Sequence, residues 1–137
     1  MRNLAFVFLL STMLVGGCGS EDVPIVEVPQ PLLSDIQAKV FTPSCASFSS
    51  CHASNGPAKC DLTLGRSYAS LVGKNAVVNH ARTLVVPGEP ESSFLVAKLR
   101  GHLETGDDEA MPLRNPPLSE DVIAAIEQWI AEGAQEN

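Results

Sequence analysis

The sequence predicts a mainly α-helical domain with two long loops. Three segments repeat their apolar side chains at the spacing of an amphipathic helix, and each is followed by a residue that favours a helix end. Two of the connecting segments are longer than a small helical bundle needs. Long loops inside a compact domain are usually functional, so the candidate site is expected there.

The first helix is predicted from Leu32 to Thr42-Pro43, where proline disfavours a helical residue before it. Its apolar face consists of Leu32, Leu33, Ile36, Val40 and Phe41. A shorter helix is predicted over residues 61–71, and the stretch from 73 to 87 is predicted to be irregular or briefly extended. The apolar side of the shorter helix consists of Leu64, Tyr68 and Leu71.

The third helix is predicted to open at Pro90, because proline suits the first helical position and Glu91 opposes the positive end of the helix dipole. Gly101 ends it. The last helix is capped by Ser119 and closed by Gly133. The buried stripe of the third helix is Phe94, Leu95 and Leu99. The apolar face of the last helix is Val122, Ile123, Ile126, Trp129 and Ile130.

The first residues have the pattern of an export signal. Arg2 is followed by an apolar run, from Leu4 to Val15, that is too short to cross a bilayer as a mature helix. The ending Leu14-Val15-Gly16-Gly17-Cys18 resembles the lipobox of bacterial lipoproteins. The resemblance implies that residues 1–17 are removed and that Cys18 carries lipid, which anchors the chain firmly to a membrane. The alternative is an ordinary secretory signal in which Cys18 is incidental.

Removal of residues 1–17 removes Arg2, the one charge they contain, so the net charge of −7 becomes −8. This acidic balance argues against nucleic acid as a partner and against a polybasic membrane patch. Residues 18–31 form an acidic, proline-rich tether, and residues 32–137 form the domain. Gly19 stands where Asp is often linked to inner-membrane retention, which favours the outer membrane with the domain facing the periplasm.

The loop from Ser44 to Cys60 contains Cys51 followed directly by His52. A histidine in this position reaches a haem iron while the cysteine is bonded to the porphyrin edge, which is why c-type haem attachment ends in Cys-His. An upstream cysteine, here Cys45, is the candidate for a second thioether. The loop is therefore predicted to bind haem covalently.

Met111 lies in the second loop, Gly101 to Pro117, among charged residues rather than on an apolar stripe. A thioether sulfur is a soft axial ligand, and His/Met ligation raises the potential of c-type cytochromes. This setting favours ligation over the gap-filling role that methionine usually has in a core. His80 and His102 are the rival distal ligands, and both are predicted to be surface residues.

Together these motifs resemble the small c-type cytochrome domains of bacterial envelope proteins, including those of planctomycetes and myxobacteria. The resemblance implies a small cytochrome c-like helical domain with long loops around a haem, beside which the first and last helices cross. It also implies covalently attached haem c on Cys45 and Cys51, with His52 as proximal and Met111 as distal ligand of the iron. It rests on the order and spacing of Val40–Cys45, Ser50–His52, Val86–Pro90, Ser92–Leu99, Met111-Pro112, Leu118-Ser119 and Ile126–Ala134.

The cysteines leave alternatives open, because five residues separate Cys45 from Cys51 where the usual attachment motif has two. With Cys18 lipidated, three cysteines remain, and an odd number cannot all pair with one another. Cys45 and Cys51 hold the haem, or Cys45 pairs with Cys60 while Cys51 holds it alone, or two of the three form a disulfide without haem. Zinc on these cysteines and His52 is a further alternative, although adjacent residues are awkward ligands for one small ion.

The function predicted is that of a membrane-tethered c-type cytochrome carrying single electrons in the bacterial cell envelope. It is not an enzyme, and peroxidase-like activity follows only if Met111 does not ligate. The alternative is a haem-free, disulfide-bonded envelope lipoprotein acting as a binding or structural module. An acidic cluster is either a solvated loop or a docking patch for a basic redox partner. It consists of Glu104, Asp107, Asp108 and Glu109.

Overall fold

The computed structural model describes residues 27–47, 51–58 and 60–137. Within these ranges every regular element is a helix, and strand-like pairing is limited to two isolated bridges, Val72 with Val85 and Asn75 with Thr83. The predicted mainly α class is confirmed. The predicted signal peptide, Cys18 and the predicted tether up to residue 26 lie outside the described residues. None of the helices in the described ranges has the length and apolar character needed to cross a membrane.

The first helix changes its hydrogen-bond pattern along its length. Helix α1 spans Leu33–Ile36, and a π-helical segment, Gln37–Cys45, continues it. The predicted stop at Thr42-Pro43 is therefore wrong. The N–H of Ala46 donates to the carbonyl of Phe41, five residues earlier, at 2.8 Å. Such wide turns occur where an α-helical ladder is disrupted, as it is here by a proline that has no N–H. The segment ends on the first cysteine of the candidate site.

The last part of the predicted tether lies against this helix. Lys39 Nζ is 3.2 Å from Glu27 Oε1 and 3.1 Å from Asp35 Oδ2. The N–H of Gln30 donates to Asp35 Oδ2 at 2.6 Å, and Pro29 is buried. Contacts with the domain therefore extend into the segment that the sequence assigns to the tether.

Helix α2 is shorter than the sequence predicts. It spans Ser67–Leu71 rather than residues 61–71, and Leu64, expected on its apolar side, is 81% exposed before the helix begins. Asp61 Oδ1 accepts the backbone N–H of Thr63 at 2.9 Å and its hydroxyl at 2.6 Å. This side-chain turn replaces the first helical turn, because the carboxylate competes with the backbone for the N–H.

Helix α3 also begins later than predicted. Pro90–Ser92 is a single 3₁₀ turn, and α3 spans Phe94–Arg100. Ser93 lies between them with an extended backbone. Its hydroxyl donates to the carbonyl of Glu89 and accepts the N–H of Val86, both at 2.9 Å. These bonds keep Ser93 out of the helix, since short hydroxyl side chains satisfy the backbone in other conformations.

The ends of α3 and α4 agree with the sequence. Gly101 follows α3 with φ +70°, and Gly133 lies two residues after α4, Glu120–Ala131, with φ +97°. Side chains rarely tolerate such values, so glycine favours a helix end at both places. Ser119 occupies the predicted cap position. Its side chain makes no capping hydrogen bond, and its carbonyl accepts the N–H of Ile123 at 3.1 Å.

One main core joins the first and last helices. All five apolar residues predicted for α4 are buried in it, and the largest, Trp129, donates from Nε1 to the carbonyl of Gln135 at 2.9 Å. Leu32, predicted on the face of the first helix, is instead 41% exposed just before α1. Half-buried side chains that pack against this core include Cys45, Cys60, Tyr68, Leu95 and Met111. The core therefore borders residues of both candidate loops.

Gln37 is a buried polar residue that ties the first helix to the segment after Cys60. Its Nε2 donates to the carbonyl of Leu62 at 2.9 Å and to Thr42 Oγ1 at 3.0 Å, and its Oε1 accepts from Ser67 Oγ at 2.5 Å. Gln37 is 3% exposed and Ser67 is 2% exposed. The Gln37 amide thus makes its hydrogen bonds inside the protein, where a polar group without a hydrogen-bond partner would lower the stability of the fold.

We expect Gln37→Leu to lower the free energy of unfolding by about 2 kcal/mol, because the Ser67 hydroxyl and the Leu62 carbonyl lose their shared partner. Urea denaturation followed by Trp129 fluorescence measures it. Gln128→Leu, at an exposed position of α4, is the matched control and should change stability by less than about 0.5 kcal/mol. Equal effects of the two substitutions would contradict this role of Gln37.

Candidate functional site

Backbone hydrogen bonds on both sides fix the Cys51-His52 pair. The N–H of His52 donates to the carbonyl of Cys45 at 3.3 Å, and the N–H of Leu62 donates to the carbonyl of His52 at 2.9 Å. The N–H of Ala58 donates to the carbonyl of Cys51, also at 2.9 Å. These bonds hold the loop against the end of the π-helical segment and against Leu62, whose carbonyl accepts a hydrogen bond from Gln37.

The His52 ring is oriented by a hydrogen bond from the same loop. Its Nδ1 lies 2.9 Å from the carbonyl oxygen of Cys60. Because a carbonyl oxygen can only accept, Nδ1 carries the hydrogen and the lone pair of the neutral ring is on Nε2. This is the arrangement in which histidine binds metals, with one nitrogen oriented by a backbone carbonyl and the other left to ligate.

The three described cysteines differ in exposure. Cys51 is exposed, whereas Cys45 and Cys60 are half-buried against the main core. Burial raises the pKa of the Cys45 thiol to about 11. Burial raises the pKa of the Cys60 thiol to about 12, and the neighbouring Asp61 and Cys45 add to the effect. The His52 backbone and ring thus bind the carbonyls of two cysteines whose side chains both pack against the main core.

Met111 is held by helix α3. Its N–H donates to the carbonyl of Lys98 at 2.9 Å, and its half-buried side chain packs against the main core. It lies in a segment without helix between Arg100 and Glu120, as the sequence predicts. The structure therefore places Met111 on the same core as Cys45 and Cys60, but on a different supporting element.

The acidic cluster is partly neutralised within the domain. Asp107 Oδ2 is 2.7 Å from Arg82 Nη1, and its carboxylate also accepts from the N–H of Glu104 and the side chain of Asn79. These bonds, the one from the Glu104 N–H above all, lower the pKa of Asp107. Asp108 pairs with Lys98. Glu104, which is largely exposed, lies 3.8 Å from Arg82 Nη1. Three of the four carboxylates are therefore within ion-pair distance of this domain's own cations, and Glu109 is exposed.

The rival ligands do not form a site. His80 and His102 are both exposed, in agreement with the prediction that they are surface residues. Among the residues that the structure describes, no three His, Cys, Asp or Glu side chains form a group that could hold a metal ion. The zinc alternative, which requires such a convergence around His52, therefore gains no support.

Two cavities of the described residues are lined by groups other than the Cys51-His52 pair and Met111. One, of about 380 Å³, is lined mostly by charged side chains, among them Arg82, Arg100 and Glu127. The other, of about 150 Å³, lies between α1 and α2.

The sequence patterns did not predict the supporting roles of two residues, Gln37 and Lys98. Gln37 interrupts the apolar stripe of the first helix, and an amide within such a stripe is the signal that was available. Lys98 lies within helix α3 and is 8% exposed, which is unusual for lysine. Its partners are in the acidic loop, and only the tertiary structure shows that pairing.

The chain matches no described protein family, no curated protein and no solved structure. The resemblance to c-type cytochromes therefore rests on the motifs of this sequence, and the fold by itself assigns no function.

The burial of two thiols predicts selective alkylation in protein made without haem. At about pH 8 iodoacetamide should label Cys51 first, while Cys60 should react roughly a thousandfold more slowly than an ordinary thiol, because its raised pKa leaves little thiolate. Labelling of Cys60 should accelerate about tenfold per pH unit up to about pH 10. Peptide mass spectrometry assigns the label, and equal labelling of Cys51 and Cys60 at about pH 8 would refute the burial.

Proposed function

We propose that this chain is a membrane-tethered c-type cytochrome that carries single electrons in the bacterial cell envelope. The observation that carries the proposal is the hydrogen bond between His52 Nδ1 and the Cys60 carbonyl. It leaves Nε2 as the ligating nitrogen of a ring that directly follows an exposed cysteine. This combination, an oriented histidine directly after an accessible cysteine, suits covalent haem attachment with histidine ligation.

Cys51 supplies the covalent bond. Its exposed thiol would add across a haem vinyl group, with its sulfur bonded to one vinyl carbon and its hydrogen transferred to the other. No oxidant or reductant is needed for this addition. His52 then lies one residue away with Nε2 available, so attachment and ligation come from adjacent positions.

The second cysteine has two candidate roles. Cys45 is joined through its carbonyl to the His52 N–H, which favours a second thioether beside Cys51. Cys45 and Cys60 also pack against the same core. A Cys45–Cys60 disulfide, with a single thioether on Cys51, is the other proposed role. Both roles leave His52 and Cys51 with the haem.

Met111 is the distal ligand in this proposal. When bound, the haem iron supplies the one-electron couple, and a thioether ligand favours its reduced form. Met111 offers a soft sulfur on a backbone bonded to α3, and its half-buried side chain packs against the main core. If His52 and Met111 both held the iron, the domain would do no bond-making chemistry on a substrate. Without Met111 ligation, an open position would permit peroxidase-like activity.

The proposed location follows from Cys18, which would attach the chain by lipid to the bacterial envelope, facing the periplasm. The outer membrane is favoured by Gly19. The partners proposed are redox proteins with a basic docking face, and the exposed carboxylates of Glu104 and Glu109 remain available to them. An acidic surface of this kind does not suit nucleic acid.

A haem-free, disulfide-bonded lipoprotein is the second candidate function. Cys45 and Cys60 pack against the same core, and two cysteines outside the cytoplasm tend to pair. In that case the domain would act as a binding or structural module, and the Cys51-His52 pair would have no redox role.

We expect the full chain, expressed with haem-attachment machinery, to be red and to retain haem after denaturation and acid-acetone extraction. The α-band of the pyridine haemochrome tells no haem, one thioether and two thioethers apart. Cys45→Ala should change a two-thioether band to a one-thioether band, and should leave the band unchanged if Cys45 pairs with Cys60. Cys60→Ala is the matched control. A colourless protein without added haem mass would overturn the cytochrome proposal.

Methionine ligation is tested separately by the weak sulfur-to-iron band of the oxidised protein in the far red. We expect Met111→Ala to abolish this band, because no other thioether lies on the loop. Leu113→Ala, which changes a half-buried side chain in the same loop, should retain it. A band that persists in Met111→Ala would move the distal ligand to another residue, and His80 and His102 would then be tested first.

A further inference from the structure

Lys98 is the one buried lysine in the described part of the chain, and its charge therefore lies inside the domain. It lies on α3, and 8% of its surface is exposed. A buried ammonium is costly unless charged or polar partners compensate for the lost water. The groups that compensate for the lost water therefore indicate which part of the domain this lysine stabilises.

The partners of Lys98 are all in the segment that leads to Met111. Its ammonium donates to the carboxylate of Asp108 and to the backbone carbonyl of Glu109. Its own carbonyl accepts the N–H of Met111 at 2.9 Å. Through its side chain and its backbone, Lys98 thus binds three of the four residues 108–111.

A second ion pair beside the first supports the same segment. Arg82 binds Asp107 at 2.7 Å, and the two cations lie over the ring of Phe94, Arg82 at 4.7 Å and Lys98 at 5.4 Å from its centre. Phe94 is 1% exposed. Charge-assisted bonds that border such an apolar ring are screened less than those on an open surface.

We propose that Lys98 is a positioning residue for Met111, fixing residues 108–111 so that the Met111 sulfur is available as an axial ligand. The inference rests on the proposed cytochrome function. Its physical basis is entropy. A ligand on a free loop must be ordered each time it binds the iron, whereas a loop already fixed to α3 has lost that freedom on folding. Lys98 would act only through Met111 and would bind neither the iron nor the haem.

The test compares Lys98→Met with Lys74→Met, the same substitution at an exposed lysine, in the haem-loaded full chain. We expect equal haem content by pyridine haemochrome in both. In Lys98→Met the far-red band of the oxidised protein should be lost at lower temperature. Added imidazole should displace Met111 at a concentration about tenfold lower than in Lys74→Met, which is the loss expected for one charge-assisted hydrogen bond.

A second variant covers the case in which Lys98→Met does not fold. Asp108→Asn removes one charged partner at a half-exposed side chain and should shift the imidazole titration in the same direction by a smaller factor. Asp121→Asn, the same change on α4, is its control and should leave the titration unchanged. Lys98→Arg retains a cation and should restore part of the resistance to imidazole.

Three results would overturn the role of Lys98 while leaving the cytochrome function intact. Lys98→Met and Asp108→Asn could both titrate like their controls. The band could be lost together with the circular dichroism of the whole domain, which would mean a purely structural role. Or the band could persist in Met111→Ala, so that there is no methionine to position. A wild-type chain without covalent haem would instead refute the function itself, and the haemochrome assay identifies that outcome first.

Discussion

The hydrogen bond between His52 Nδ1 and the Cys60 carbonyl is the interaction on which the candidate site depends. It assigns the ring hydrogen to Nδ1 and leaves Nε2 free of that bond, so it determines the chemistry the ring offers. The bond requires that residues eight apart in the chain meet at 2.9 Å. Backbone bonds to Cys45 and Leu62 bring them together, and Gln37 fixes Leu62 from inside the core. The orientation of one imidazole is therefore supported by a buried amide on another helix.

The two candidate loops are fastened by different physics. The loop of Cys51 and His52 is held by neutral hydrogen bonds, mostly between backbone groups. The loop of Met111 is held mainly by charge, through Arg82 with Asp107 and Lys98 with Asp108. Neutral bonds are insensitive to salt, whereas charge pairs are weakened by it where they are exposed. Lys98 is buried and Arg82 is half-buried, both over the ring of Phe94, which reduces that weakness in the loop of Met111.

The same ion pairs change the meaning of the acidic cluster. On the sequence it is a block of four carboxylates that suits a basic docking partner. In the structure Asp107 and Asp108 are paired with Arg82 and Lys98, and Glu104 lies 3.8 Å from Arg82. An electrostatic contribution to docking therefore involves less net charge than the sequence suggests, since a carboxylate that is neutralised locally adds little to the field at a distance.

Local signals predicted the elements whose causes are local. The apolar face of α4 and the glycines after α3 and α4 were correct, because periodicity and φ preference act over a few residues. The errors at the other helices also have local causes, since the side chains of Asp61 and Ser93 bind nearby backbone groups and delay the helix start. The π-helical continuation through Pro43 was missed because proline reads as a stop when only α-helical turns are considered.

By itself the sequence determined the helical class and the candidate chemistry, a thiol directly followed by an imidazole and a thioether in a second loop. Only the tertiary structure decided which ring nitrogen of His52 is available, which cysteines are buried, and which cations pair with the acidic loop. These decisions depend on bonds such as Gln37 to Leu62 and Arg82 to Asp107, each between residues 25 apart in the chain. No local pattern encodes such a pairing, because it exists only after the core has brought the two segments into contact.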